Sequence, residues 1–572
     1  MKLWVAALVA AGLGGADARW LRLSSGRFEL WTDAGERDGR ELLLRLGQLR
    51  QVLGPGRSTP MPVRVMLFRE DRDFHPLRSA STVRGFYQSG PERDYIALPA
   101  SGGDAVRRAS HEYVHVVLNH TSTVLPQWLE EGTAEFYSTV ETTGDRVAVG
   151  RPVASHLSIL AKRKWLDAAA LGAVEKDSRL YADPASADVF YAQSWALVHM
   201  LYMHPAYREK MPDFVLSLDR GTAAGEAFQS VFARDMEKSL DDLRTYAAAG
   251  RMPVAMVEWK PPEISEIVAA PVTELESELA QVELLLLLDK RQEAARRIKA
   301  LEPRGPDAPE LQLAAGLFLL AEKNYEAAGE KLLNAIDSGS ATAAFEYAML
   351  LRDRGAPPVE VKRNLEIAVA RNPNLAEAQF LLGLMATKEG RCDEALGPLS
   401  QAARILPRQS YFWHALALCQ HELGNQEQAR LAAMRAVRAA SNSQQREMAE
   451  AALGQVTRAG GSARRTAGEP AVKTPAGWQM PKGDSRVEGL LEQIDCLGEP
   501  ARFHVRSGGQ TVLLFVRKPG DVLLRNLSSL TFEFTCGRQA PRPVIVHYQR
   551  REDARWKTAG DVTEIVFRDR ND

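Results

Sequence analysis

Between residues 274 and 441 the chain repeats at close to 34 residues, with Gly390 and Gly424, Ala395 and Ala429, and Ala402 and Ala436 as equivalent pairs. Earlier copies are looser: Gly316, Ala328 and Ala335 mark one, and Leu365, Ala368 and Pro373 the next. A unit of this length holds two helices, and recurring alanines let them approach closely. Each pair leaves an apolar face that only a neighbouring pair can bury, so the segment is constrained to stack into a curved solenoid of about five pairs with a concave surface. Ser443 to Val456 supplies a capping helix.

The period, with Pro407 and Trp413 at characteristic positions, is that of the tetratricopeptide repeat. A different constraint lies upstream. Residues 111 to 115 read His-Glu-Tyr-Val-His, and Glu131 follows inside Trp-Leu-Glu-Glu-Gly-Thr-Ala. On a helix His111 and His115 lie one above the other, so both imidazoles converge on one cation with Glu112 beside them. A catalytic zinc takes three protein ligands and keeps one position open, and Glu131 is the candidate third donor. No Gly or Pro interrupts Ala105 to Leu118, as a helix requires. Asp104 is its expected cap, and Pro126 suits the first turn of the next helix. On that second helix Glu135 lies one turn beyond Glu131, placed to hydrogen-bond a ligating histidine. Glu130 reads as a solvated neighbour, and His120 and His156 lack ligand spacing with a partner.

These residues resemble the gluzincin metallopeptidases, in which His-Glu-x-x-His on one helix is followed on the next by Trp-Leu-x-Glu-Gly-x-Ala. Trp128, Leu129, Glu131, Gly132 and Ala134 match. The resemblance covers about residues 25 to 250 and implies an α+β metallopeptidase domain. It implies one zinc ion per chain on His111, His115 and Glu131, with Glu112 as general base. The family's oxyanion-binding tyrosine corresponds to Tyr191, although Gln193 and Ser194 stand where lysine and glycine are usual. The interval from His115 to Glu131 is shorter than in aminopeptidase N-like members, and no Gly-x-Met-Glu-Asn segment exists to hold a substrate amino terminus. The compact peptidase-MA-like members are the better likeness, which implies an endopeptidase. In gluzincins an edge strand, here assigned to Tyr95–Leu98, runs beside the cleft and binds extended peptide through its main chain, implying broad specificity.

The catalytic region, residues 19–251, reads as mixed α/β: strands at Phe28–Thr32 and Pro62–Phe68, a helix from Asp38 to Leu53, and further helices from Pro205 to Ala249. Residues 252–273, with Pro253, Pro261, Pro262 and Pro271, read as a linker to the solenoid at 274–458. Residues 459–484 are rich in Gly, Ala, Pro, Arg and Lys and read as a flexible tether. After it the period changes to two, so 485–572 is expected to be a small all-β domain.

Lys2, an apolar run from Leu3 to Leu13 and Ala16-Asp17-Ala18 spell a cleavable signal peptide over residues 1–18. Its apolar stretch is too short for a comfortable span, so the expectation is an exported chain, periplasmic or secreted, with no stable membrane span after cleavage. An oxidising compartment permits disulfides. Four cysteines allow three full pairings, of which Cys496 with Cys536 is preferred because both fall in the β domain. A formal net charge of −1 argues against a nucleic-acid or polybasic membrane footprint.

Together these features point to an exported zinc metallopeptidase acting on polypeptide, with the solenoid's concave face docking substrate or partner proteins. Two other readings stay open. One is an exported repeat scaffold whose zinc site is structural or vestigial; the other is a zinc hydrolase acting on a different acyl or amide bond. Glu112 separates enzyme from scaffold, having no role in merely holding zinc.

Overall fold

The computed structural model describes residues 20–54, 59–80, 83–175, 178, 180, 183–249, 252–258, 267–459, 485–497, 500–517, 522–525, 537–553 and 555–567. The expected signal peptide, almost all of the tether and Cys536 lie outside them, so the preferred Cys496 to Cys536 pair does too. The first part of the chain runs β1 (Trp20–Ser25), β2 (Phe28–Thr32), α1 (Glu36–Leu53), β3 (Val63–Phe68), α2 (Asp71–Phe74), β4 (Phe86–Ser89), β5 (Asp94–Pro99), α3 (Ala105–Asn119) and α4 (Gln127–Tyr137). It continues through β6 (Glu141–Thr143), β7 (Arg146–Val149), α5 (Ala154–Lys162), α6 (Ala168–Gly172), α7 (Pro184–Met203), α8 (Pro205–Arg208), α9 (Met211–Asp219), α10 (Ala224–Phe232), α11 (Met236–Ala248), β8 (Ala255–Glu258) and β9 (Val268–Val272).

Six of these strands form a mixed sheet in the order β4-β5-β3-β2-β1-β9, with β2, β3 and β5 parallel. Every residue of β3 is buried, and all but Arg64 are apolar: a strand covered on both faces does not alternate. Val63, Val65 and Leu67 join Leu42 and Leu46 of α1 and Tyr113, Val114 and Val117 of α3 in the main core. Met66 and Phe68 point the other way.

The opposite face is covered by the first repeat. Trp20, Trp31, Met66, Phe68 and Tyr95 pack with Ala280, Leu284 and Leu285 of α12 (Glu274–Leu287) and Ala294 of α13 (Arg291–Leu301). Arg64 sits on this face over the Trp31 ring and bridges Glu29 of β2 at 2.8 Å to Glu283 of α12 at 3.5 Å. The 252–273 stretch therefore departs from the linker expected of it. β8 pairs with β7, and β9 adds an outer strand to β1, where Pro271 is tolerated because an edge strand need not donate on its free side.

The repeats continue as α14 (Pro309–Ala321), α15 (Tyr325–Asp337), α16 (Ala341–Asp353), α17 (Pro358–Arg371), α18 (Ala376–Lys388), α19 (Cys392–Ile405), α20 (Ser410–Glu422) and α21 (Gln426–Arg438), followed by α22 (Ser443–Ala459). With α12 and α13 they make five helix pairs among the described residues, and the tetratricopeptide solenoid expected from the period is present. Gly383 shows why small residues recur: a Cβ there would meet the Leu399 side chain at 2.6 Å. A disulfide joins Cys392 to Cys419 across α19 and α20. Along one edge the solenoid is tied to the sheet region. Thr342 donates to Glu92 at 2.6 Å, Asn374 to the Pro60 carbonyl at 3.2 Å, and Arg438 pairs with Asp219 at 3.5 Å.

A second compact unit holds β10 (Ser485–Cys496), β11 (Ala501–Ser507), β12 (Gln510–Val516), β13 (Leu523–Arg525), β14 (Gly537–Asp553) and β15 (Thr558–Phe567). The order β12-β11-β10-β14-β15 closes through parallel pairing of β12 with β15, giving an all-β barrel around Leu491, Phe503, Leu514, Val546 and Ile565. Among the described residues no helix is long and apolar enough to cross a membrane.

Removing the solenoid would strip the sheet of its cover, at about 1.5–3 kcal/mol for each of Trp31, Met66, Phe68 and Tyr95. A chain ending at residue 273 should therefore aggregate or bind a hydrophobic dye strongly. A soluble, dye-silent fragment would show that the face needs no cover.

Within the solenoid Glu346 of α16 has its carboxyl pushed up to about 7 by burial and by the charge of Glu377 on α18. The folded state then holds this proton to higher pH than the unfolded chain does, so its contribution is lost as pH rises from about 4.5 through 7. Glu346→Gln should gain about 1–3 kcal/mol relative to wild type between pH 5 and pH 8 in urea denaturation. An equal difference at both pH values would contradict this.

Candidate metal centre

α3 and α4 lie side by side, and α7 crosses α4 so closely that a Cβ at Gly132 would fall 2.4 Å from the Ser194 carbonyl oxygen. Only glycine fits after Glu131, and the contact fixes α7, which carries Tyr191, against the helix that carries Glu131. Asp104 stands at the start of α3, but in a left-handed conformation with φ 63°. Its side chain makes no capping bond and instead faces Arg107 at 3.5 Å. Pro126 occupies the cap position of α4, one residue before the expected first turn.

His111, His115 and Glu131 converge. The two imidazole Nε2 atoms are 3.0 Å apart, and each lies 3.4 Å from Glu131 Oε2. Ligand atoms about 2.0–2.2 Å from a tetrahedral centre stand about 3.3–3.5 Å from one another, so these three already have nearly the required spacing. Glu131 Oε1 accepts a hydrogen bond from Gln127 at 2.8 Å, whereas Oε2 is buried with no hydrogen-bond partner among the described residues. An oriented, orphaned carboxylate oxygen beside two imidazole nitrogens is a donor set suited to a divalent cation, and a zinc ion fits it.

The outward nitrogens are also held. His111 Nδ1 lies 3.1 Å from Glu135 Oε1, and Glu135 Oε2 is bound by His156 Nε2 at 3.0 Å and by Arg107. His115 Nδ1 faces Glu130 Oε1 at 3.7 Å. Glu130 is only 4% exposed, so it is no solvated neighbour; it pairs with Arg408, which arrives from the α19 to α20 turn. Arg408 and His156 carry no spacing signal toward residues 111–135, and only folding brings them there, whereas Arg107 lies one helical turn before His111 on α3.

Burial opposes charge on all these groups, but the carboxylates outweigh it. Glu131 and Glu130 leave His115 pushed up to about 9, while Glu131 and Glu135 raise His111. Burial likewise works against Glu131 and Glu135, and their imidazole partners nevertheless hold both below the usual carboxylate range. The centre thus stabilises positive charge at one point. Glu112 differs: burial raises its carboxyl, the imidazoles only partly compensating, and the backbone N–H of Tyr87 hydrogen-bonds it.

Glu112 and Tyr191 open with the three donors into one cleft of about 380 Å³, walled by Phe86, Tyr87, Gln127 and Arg408. The Tyr191 ring lies 6.5 Å from that of His111. Gln193 points elsewhere, exchanging two hydrogen bonds with the Leu166 backbone. The edge strand beside the cleft is β4, not Tyr95–Leu98, which falls in β5, interior to the sheet and fully buried. Tyr87 in β4 donates to Asp94 at 3.0 Å and accepts from Asn119 at 2.8 Å. Its sequence neighbourhood, a short polar segment after Gly85, has no alternation long enough to mark a strand.

The sequence model of a protein family of unknown function (DUF1570) matches residues 106–220, a stretch that includes His111, Glu112, His115, Glu131, Glu135 and Tyr191. Among curated proteins nothing matches this chain. Among solved structures it is similar to YrrB, described as a TPR protein with an unusual peptide-binding site, at 19% identity over 30% of this chain and 90% of that one, with a TM-score of 0.25. It is also similar to MamA, at 19% identity over 29% and 91% and a TM-score of 0.24. A third likeness is to pilF of Pseudomonas aeruginosa, at 14% identity over 33% and 93% and a TM-score of 0.27.

Purified chain should take up one zinc ion. Glu135→Gln should weaken uptake about 10–100-fold, and His115→Ala or Glu131→Ala by more than about 100-fold, in competition with a chromophoric chelator. Wild-type affinity in Glu131→Ala would remove Glu131 from the ligand set.

Proposed function

We propose that this protein is a zinc-dependent metallopeptidase of gluzincin type, acting as an endopeptidase on polypeptide substrates. The observation that carries the reading is the convergence of His111, His115 and Glu131 on one point, with Glu112 beside them in the same cleft. A zinc ion bound there would polarise a scissile carbonyl and acidify a water molecule. Glu112, its carboxyl raised by burial, accepts the proton of the attacking water and passes it to the leaving nitrogen. Tyr191 donates a hydrogen bond to the oxygen that gains charge at the tetrahedral stage. The main chain of β4 offers the extended substrate an edge to pair with.

The Cys392 to Cys419 disulfide and the signal-like residues 1–18 support export to an oxidising compartment, periplasmic or extracellular. The solenoid's concave face is the surface on which partner proteins or the polypeptide substrate would dock.

The test compares wild type with Glu112→Gln on an unfolded protein such as casein, with and without chelator. Chelator-sensitive cleavage by wild type, and a loss of about 10²-fold or more in a variant that still holds zinc, is the expected result. Undiminished cleavage by Glu112→Gln would exclude the mechanism.

A further inference from the structure

We infer that Arg408, supplied by the repeat solenoid, is a positioning residue of the metal centre, acting on His115 through Glu130. The inference rests on the zinc reading above and adds to it a residue some 280 positions from the helices that carry the ligands.

Arg408 Nη1 lies 3.3 and 3.2 Å from the two oxygens of Glu130, and Glu130 Oε1 lies 3.7 Å from His115 Nδ1. Glu130 is buried and Arg408 largely so, with side-chain exposures of 5% and 16%. A metal-ligating histidine needs its outward N–H fixed by an acceptor, which sets the tautomer and the ring's aim. Glu135 does this for His111 and is itself held by Arg107 and His156. Glu130 is the carboxylate that faces the outward nitrogen of His115, at 3.7 Å, and Arg408 is what holds it.

The segment that delivers Arg408 is itself fixed. His120, at the end of α3, engages the Ile405 carbonyl through Nδ1 at 2.7 Å and Asp94 through Nε2 at 2.6 Å. Docking alone does not account for a guanidinium here. Its Nε and Nη2 are buried without a hydrogen-bond partner among the described residues, and a buried ion pair adds little stability over an apolar contact of equal volume. A charge retained at that cost, against a carboxylate facing a ligand, is explained by the ligand.

The experiment measures zinc affinity of the full-length chain by competition with a chromophoric chelator. Arg408→Ala and Glu130→Gln should each weaken zinc about 10-fold or more, and Arg408→Ala should add less than about twofold in the Glu130→Gln background. Arg408→Lys keeps one charged donor, so it should return to within about threefold of wild type. Arg438→Ala, which breaks the nearby tie to Asp219 away from the metal, should stay within about twofold. Unchanged or tighter zinc in Arg408→Ala would overturn the inference, since binding would tighten if Arg408 merely neutralised Glu130. An equal loss in Arg438→Ala would overturn it in favour of a general docking effect. A wild-type chain that binds no zinc would instead overturn the zinc reading, and this role with it.

Discussion

A sheet buried on both faces governs this molecule. β3 is buried on both faces, its charged residue Arg64 lying over the Trp31 ring and paired with Glu29 and Glu283, so the sheet needs a layer against each face. One layer is α1 and α3; the other is the first repeat pair. The helix with the two histidines and the solenoid with its repeats are thereby coats on a single slab, and the positions of both depend on the same strand. The repeat region is not an appendage to a finished domain. It is part of what finishes it, and the ties at Thr342, Asn374 and Arg438 extend that attachment along the solenoid's edge.

Within this frame the candidate metal centre is assembled by two helix contacts. α3 presents two imidazoles a turn apart, and α4 presents Glu131 toward them. α4 is in turn set by α7, through a glycine that leaves no room for a methyl group. Each imidazole faces two carboxylates, one shared at its inner nitrogen and one of its own at the outer. Buried acids and bases crowded into so small a volume would be costly to leave unpaired, and their mutual attraction orients the donors around Glu131 Oε2, which has no hydrogen-bond partner among the described residues.

Much of this is legible in the sequence. The turn spacing of His111 and His115, the position of Glu131 and Glu135 on a second helix, and the 34-residue period are local patterns, and local patterns survive folding. The β3 and β2 strands and the helices after Pro205 are readable from apolar periodicity for the same reason. What escapes is non-local. Pro-rich residues 252–273 resemble a linker because proline breaks regular structure, yet an edge strand tolerates it. Tyr95–Leu98 resembles an edge because it is short, whereas its fully apolar character belongs to an interior strand. Glu130 beside Glu131 reads as solvent-facing until Arg408 is placed against it, and nothing in the spacing of residues 278 apart announces that meeting.

That separation has a consequence for how the molecule comes into being. His120 meets Ile405, and Glu130 meets Arg408, across 285 and 278 residues of chain. During synthesis α3 and α4 emerge long before the α19 to α20 turn exists, so for most of that time Glu130 and the end of α3 lack these partners. Contacts of such sequence separation close late, after the intervening helix pairs have stacked. The cleft's final wall is thus set in place by one of the last turns of the solenoid to be made, and the chain carries its own timer: the site takes its finished form only after the 278 positions from Glu130 to Arg408 have been made.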